Sequence, residues 1–445
     1  MRLLAVTIFF SAGCLSSSAY SARHRTEVAL DRARAPSYGA PGAVATASCS
    51  DLARAIATSH PRVAVAFARA RAALARSNAE GSLPPPTASI EVWDFPVGAP
   101  SRADDEGMYM FGIGQEFPPG RSGRALSEAE DALALLAEST EMERGAWAET
   151  AHACVAWSTA TIVHAQMQGH LEIVSLLREA VLSRYRGGAT DGLTMIAQTE
   201  SEIAAAARHV AEAEEEVRAS RDLLVAFASG SVALPEEPPM LAVRPALPPV
   251  NELVERALSS RGTVVAGLAR AAGAQARLDA SDSEAETPTF ELRATYMQSP
   301  SMRPGVGAMV SMSLPWLSRA SSTADSTRHM YAAARADVED IERSIRVEVV
   351  RASGRVRVLT RSLALLMEQE VPAATRAIEA ARASLTGLGF DVAAWIEAAH
   401  ALRLIRVDEA RTRAALEEAW VELEAAVGQP IAAQPIAPQP TGETR

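Results

Sequence analysis

The sequence predicts a mainly α chain with a small transmembrane β part, internally duplicated. Three observations lead there. The chain is 48% hydrophobic but only 5% aromatic, because alanine carries much of the apolar content, and such a composition favours long, closely packed helices over a thick globular core. Two pairs of short alternating segments interrupt the helical pattern, one in each half of the chain. Each pair ends in a proline beside an aromatic, Phe117-Pro118 and Pro315-Trp316, after which a long helical stretch begins.

Met1-Arg2 followed by the apolar run Leu3 to Phe10 reads as a secretory signal over residues 1–22, too short to span a bilayer. Ser11-Ala12-Gly13-Cys14 resembles a lipoprotein box, which would make Cys14 an acylated first residue; cleavage near Ser17-Ser18-Ala19 or Ala19-Tyr20-Ser21 is the alternative. Residues 23–49 are rich in serine, alanine, proline and arginine without periodicity, and are expected to form a flexible arm. Export permits a disulfide between Cys49 and Cys154, but nothing in their spacing calls for one, so two unpaired cysteines are expected. No later segment reaches eighteen apolar residues, which excludes a helical membrane span.

The first repeat, residues 50–230, opens with a helix over 51–78, started by Ser50 or Asp51 and stopped by Gly81 and Pro84-Pro85-Pro86. Strands follow over 87–95 and 108–117. From Ser122 to Arg186 no proline occurs, predicting one helix of about sixty-five residues, about 95 Å long. Gly187-Gly188 breaks it, Thr190 or Asp191 caps a new start, and a further helix runs to Ala228. Residues 231–250 form a proline-rich linker. The second repeat, 251–428, has the same order: helix 251–280, strands 289–297 and 305–314, long helix 320–386, a break at Gly387-Leu388-Gly389 and helix 391–427. In each half the two shorter helices together match the long one, so laid beside it they would make a wall of even height. Leu416, Trp420, Leu423 and Val427 keep the four-three-four spacing of a packing seam. The tail, 429–445, reads as disordered.

The strand pairs carry the membrane argument. Phe290, Leu292, Ala294 and Tyr296 alternate with Glu291, Arg293 and Thr295; Val306, Ala308, Val310, Met312 and Leu314 alternate with Gly305, Gly307, Met309, Ser311 and Ser313. An apolar face opposite a small or charged one suits a sheet between lipid and water. The first pair is less regular, with Tyr109, Phe111, Ile113 and Phe117 sharing a face with Gln115. A sheet in lipid must close, and four strands are too few, so three chains sharing a twelve-stranded β-barrel is the expectation. Trp93, Tyr109, Tyr296 and Trp316 would then form the interfacial girdle. The ordinary alternative is a water-soluble sheet packed on the helices.

Several chemistries are excluded. All 43 basic residues are arginine, so no phosphate-loop lysine or Schiff base is possible, and the net charge of −11 disfavours nucleic acid. There is no GxSxG, GxGxxG or HExxH, hence no expected catalytic residue, enzyme activity or cofactor; the eight histidines form no close pair in sequence, which argues against zinc. Met108, Met110, Met297, Met302, Met309 and Met312 gather on the strands; thioethers can bind copper or silver, but methionine more often fills an apolar strand position. Glu212, Glu214, Glu215 and Glu216 read as an exposed helix face.

Over residues 50–428 the chain resembles the TolC-like outer-membrane efflux family. The likeness rests on "ATSHPRVAVAFARARAAL", "GIGQEFPPGRSGRALSEAEDA" and "RYRGGATDGLTMIAQTESEI" in the first half, and on "VSMSLPWLSRASS", "LTGLGFDVAAWIEAAHALR" and "ALEEAWVELEAAVG" in the second. The resemblance implies a homotrimer whose shared β-barrel in the outer membrane is continued by an α-helical barrel into the periplasm. It implies as partners a periplasmic adaptor and an inner-membrane pump, with a passive exit duct as the function; the alternative is a periplasmic long-helical adaptor or scaffold. Tyr185-Arg186-Gly187-Gly188 matches the family's aromatic–x–x–glycine turn at the adaptor-facing tip. Gly387 and Gly389 mark the second tip, where Leu385 or Thr386 replaces the aromatic. The family's acidic pore ring would fall on Glu397, opposite Ala197 of the first half, unless Glu397 is a solvated helix face; Asp191 and Asp391 are gate candidates that also suit helix capping.

Overall fold

The computed structural model describes residues 17–32, 42–43, 48–94, 107–187, 192–230, 232–241, 244–299, 302–315, 320–383 and 391–431. In chain order these form α1 (Ser17–Arg32), β1 (Gly42–Ala43), α2 (Cys49–Ala57), α3 (Pro61–Gly81), β2 (Thr87–Trp93), β3 (Met108–Phe117), α4 (Arg121–Arg186) and α5 (Gly192–Ala228). Then come β4 (Val232–Ala233), α6 (Val250–Ser260), α7 (Gly262–Glu286), β5 (Phe290–Ser299), β6 (Met302–Met312) and α8 (Ala320–Leu365). A π-helical turn (Leu366–Glu370), α9 (Val371–Ala383) and α10 (Val392–Val427) complete the order. The order of elements recurs in the two halves, each running helices, strand pair, long helix, helix.

The sequence-derived elements differ from these in four places. The helix expected over 51–78 is two, because Pro61 has no N–H to continue α2 and instead starts α3; Ser48 caps α2 through its side chain, 3.2 Å from the Asp51 N–H. The helix expected over 251–280 breaks at Arg261, whose backbone is extended at φ −69°, ψ 125°. The helix expected over 320–386 contains the π turn immediately before Pro372, where a missing N–H and a ring aimed at the previous turn widen the local register. The flexible arm expected over 23–49 contains part of α1, which is buried through Ala19, Ala22, Thr26 and Leu30. Thr26 donates to the Ala129 carbonyl at 3.3 Å, and Leu30 packs with Phe67, Ala70 and Leu136. Alanine and serine at helical spacing hid this amphipathic face from a hydrophobicity reading.

The chain divides into two compact units. One holds the described residues of Met1–Ala35, Val65–Ser139 and Thr263–Ile341, and therefore the four long strands. Its helical part packs through small residues: Ala134, Ala137, Ala266 and Ala269 form one buried cluster, and close helix approach requires such side chains. The other unit holds Pro36–Ala64, Thr140–Gly262 and Glu342–Arg445. One of its buried clusters gathers Leu52, Ile56, Val155, Trp157 and Leu224, with β1 and β4 pairing in parallel as a minor second sheet. Trp420, Leu423 and Val427 of the predicted seam are buried.

The unpaired cysteines expected from spacing are a disulfide. Cys49 of α2 is bonded to Cys154 of α4, with the Cα atoms 5.6 Å apart across 105 residues of chain. Only the packing of α2 along α4 brings them together, and sequence spacing carries no trace of that.

Candidate functional site

The four long strands form one antiparallel sheet in the order β2-β3-β5-β6. Its register places Ile90, Phe111, Tyr296 and Val306 in a single row, with Ala88, Ile113, Ala294 and Ala308 in the next row on the same face. This apolar face is the exposed one. Ile90 is 72% exposed, Ile113 65% and Val306 81%, while the opposite, polar face is half-buried. The inversion is the reverse of a water-soluble sheet, which buries its apolar side. It is what a sheet facing hydrocarbon presents.

The polar face is crowded and paired. Arg293 bonds Glu291 at 2.8 Å and reaches Glu91 at 3.4 Å, and the Ser311 hydroxyl donates to Glu291 at 3.2 Å. Gly112 and Gly114 lie among these groups: a Cβ on Gly112 would sit 2.6 Å from Ser89 Oγ, and one on Gly114 2.7 Å from Glu291 Oε1. Small residues therefore let this side carry charge at close quarters. Both edges of the sheet, β2 and β6, lack a partner strand among the described residues.

In the other unit, the end of α4 and the starts of α5 and α10 lie together. Leu177 and Val181 of α4 pack on Val392 and Trp395 of α10. Asp391 caps α10, its carboxylate accepting from the N–H of Ala393 at 2.9 Å and of Ala394 at 3.3 Å. Tyr185, half exposed, lies against Gly192, where any Cβ would overlap its ring. Glu397 is exposed, pairs with no described residue, and lines two open clefts. One, of about 630 Å³, is shared with Gln198, Glu202 and His400; the other, of about 520 Å³, is shared with Asp391 and Ala394.

The sequence matches no family model and no curated protein. Solved structures, however, share the fold over most of the chain. The outer-membrane channel OprN superposes with a TM-score of 0.69 at 18% identity, covering 89% of this chain and 94% of that one. The outer membrane protein VceC of Vibrio cholerae gives 0.72 at 16%, covering 86% and 96%, and the MtrE outer membrane channel of Neisseria gonorrhoeae gives 0.69 at 14%, covering 89% and 96%. This chain has the TolC-like outer-membrane channel fold. OprN and MtrE are described as outer-membrane channels.

The TolC-like fold separates the residues singled out from the sequence. Trp93, 57% exposed, and Tyr109 stand at the far end of the sheet, while Tyr296 sits one row further in on the same face as Tyr109. Asp391 is engaged as a cap and Glu397 is not. Tyr185 and Gly187 are described; Gly188, Asp191, Gly387, Gly389, Cys14 and Trp316 lie outside the described residues. The four glutamates 212, 214, 215 and 216 are exposed as expected, with Arg218 pairing to Glu214 and Glu215. The strand methionines divide between the two faces. Met302 and Met312 are on exposed positions, whereas Met110 and Met297 oppose each other on the inner face.

Histidines that are scattered along the sequence meet in three dimensions. His170 of α4 and His400 of α10, far apart in sequence, have ring centroids 5.5 Å apart, with Glu202 of α5 between them. The His170 imidazole is only 4% exposed. Burial, then the charge of Arg403, holds its pKa down to about 4, so it is neutral at neutral pH. No local motif could have found this trio, since each residue comes from a different helix.

Proposed function

We propose that this chain is the subunit of an outer-membrane export channel, a passive exit duct worked by a periplasmic adaptor and an inner-membrane pump. The observation that carries the reading is the sheet with its apolar side outward and both edges without a partner strand among the described residues. Such a sheet is stable in lipid only when closed, and three chains would supply twelve strands for one shared barrel, continued by an α-helical barrel. The disulfide supports an exported location, since such bonds persist in oxidising compartments. A secretory signal belongs to the same proposal, removed either over 1–22 or before Cys14, which would then be acylated, as does a girdle of Trp93, Tyr109, Tyr296 and Trp316. The adaptor or scaffold alternative is not favoured, because nothing in it requires an outward apolar sheet.

Glu397 is the proposed gate residue. It is exposed and pairs with no described residue, whereas the Asp391 carboxylate is held by its own helix, and Asp191 stands in the matching sequence position of the first repeat. Three copies of Glu397 around a closed pore would favour cations. The glycine turns at 187–188 and 387–389, with Tyr185, are the proposed adaptor contacts.

The test is detergent extraction of the membrane fraction, mass determination of the particle, and conductance in planar bilayers. A detergent-dependent trimer that conducts, with cation preference reduced by Glu397→Gln, supports both parts. A water-soluble monomer overturns the channel, and an unchanged preference in the variant removes Glu397 from the gate.

A further inference from the structure

We propose that His170, Glu202 and His400 form a binding site for one divalent transition-metal ion of the zinc class. The three side chains each offer one ligand atom, and these atoms all lie within 4.8 Å of one another. Zinc bonds to nitrogen and oxygen are about 2.0–2.2 Å, which puts tetrahedral ligands about 3.4 Å apart. His170 Nε2 is already 3.9 Å from Glu202 Oε1, and His400 Nε2 is in direct contact with the same oxygen. Small side-chain rotations therefore close the set.

A plain hydrogen bond explains Glu202 with His400 but not His170. His170 Nε2 stands 3.9 Å from Glu202 Oε1, beyond hydrogen-bond reach. A ring as buried as this one gains from a partner at that nitrogen. An ion held between Nε2 and the other two side chains supplies one.

The surroundings suit an ion that is bound and not merely passing. One turn before the site, Met167 packs with Ala213 and Val407; one turn after it, Ile173 packs with Leu177, Val181 and Trp395. The trio is thus a polar layer between two apolar ones, with a ligand from each of α4, α5 and α10. Glu202 and His400 also line the cleft of about 630 Å³, which provides an entry path and a place for water as fourth ligand. Two imidazoles and one carboxylate prefer zinc, copper, nickel or cobalt to magnesium or calcium. The nearby Arg403 opposes a cation, and the single carboxylate offsets it. Binding would tie three helices together at one level, independently of what the protein transports.

The experiment uses the untagged full-length protein in detergent, stripped with chelator. Zinc is titrated calorimetrically, and cobalt is added as a spectroscopic probe. The expected result is one zinc per chain, a tetrahedral cobalt spectrum, and a loss of affinity of at least tenfold in His400→Ala and in Glu202→Gln. His400 is partly exposed, so its removal should leave the helical circular dichroism unchanged; should either variant misfold, the cobalt spectrum of the parent protein decides. Absence of stoichiometric zinc in the parent, an octahedral cobalt spectrum, or unchanged affinity in a folded variant would overturn the site.

Discussion

Cys49 and Cys154 are bonded across 105 residues, joining the short helix α2 to the middle of α4. Closing a loop of that length removes freedom from the unfolded chain. Reduction, or Cys49→Ala with Cys154→Ala, is expected to cost about 2–5 kcal/mol, seen as a lower unfolding temperature under reducing conditions. An identical temperature with and without reductant would mean the bond is absent or idle.

Tyr185 and Gly192 form a second close pair, across the turn between α4 and α5. Gly192→Ala places a methyl group into the Tyr185 ring and should destabilise the protein by about 1–3 kcal/mol. Tyr185→Ala in the same chain should recover part of that loss, because the collision is then gone. A double-mutant cycle with no coupling between the two would refute the contact.

The two faces of the sheet should respond oppositely to charge. Val306→Arg puts a cation on the most exposed of its apolar row, at an expected cost of about 2–4 kcal/mol if that row meets hydrocarbon. The yield of assembled protein in the membrane fraction should fall. Thr295→Ser, on the inner face, should leave it unchanged. Equal yields for Val306→Arg and the parent would remove the lipid-facing assignment.

Arg244 of the inter-repeat linker sits against Glu417 at 2.6 Å and Glu424 at 3.1 Å, both carboxylates being only 5% exposed. Arg244→Met leaves two buried charges unmatched, with an expected loss of about 3–5 kcal/mol. Adding Glu417→Gln and Glu424→Gln should restore much of it. Thermal unfolding of the three chains gives the answer, and a triple variant as weak as the single one would assign the loss to packing of the arginine stem instead.

Much of this architecture was legible because periodicity is a local property. The alternation in Phe290–Tyr296 and Val306–Leu314 determined both the strands and which face is apolar, and the absence of proline from Ser122 to Arg186 determined one unbroken helix. Gly187-Gly188 and the acidic cap Asp391 marked where helices stop and start. What stayed hidden is of two kinds. Local exceptions such as the π turn before Pro372 and the break at Arg261 depend on backbone geometry that average propensity smooths over. Helix α1 escaped because alanine, serine and threonine can line a tight helical contact while scoring as neutral.

The sequence by itself determined the long helices, the two strand pairs and which face of the strands is apolar. All of these follow from short-range rules: side-chain period, proline chemistry and the spacing of turn residues. Only the tertiary structure decided the partners. It bonded Cys49 to Cys154, set Tyr185 on Gly192, buried Arg244 between two carboxylates, and gathered His170, Glu202 and His400 from three helices. Those contacts depend on how long helices lie side by side, and residues that meet across helices carry no mark of it in their order along the chain.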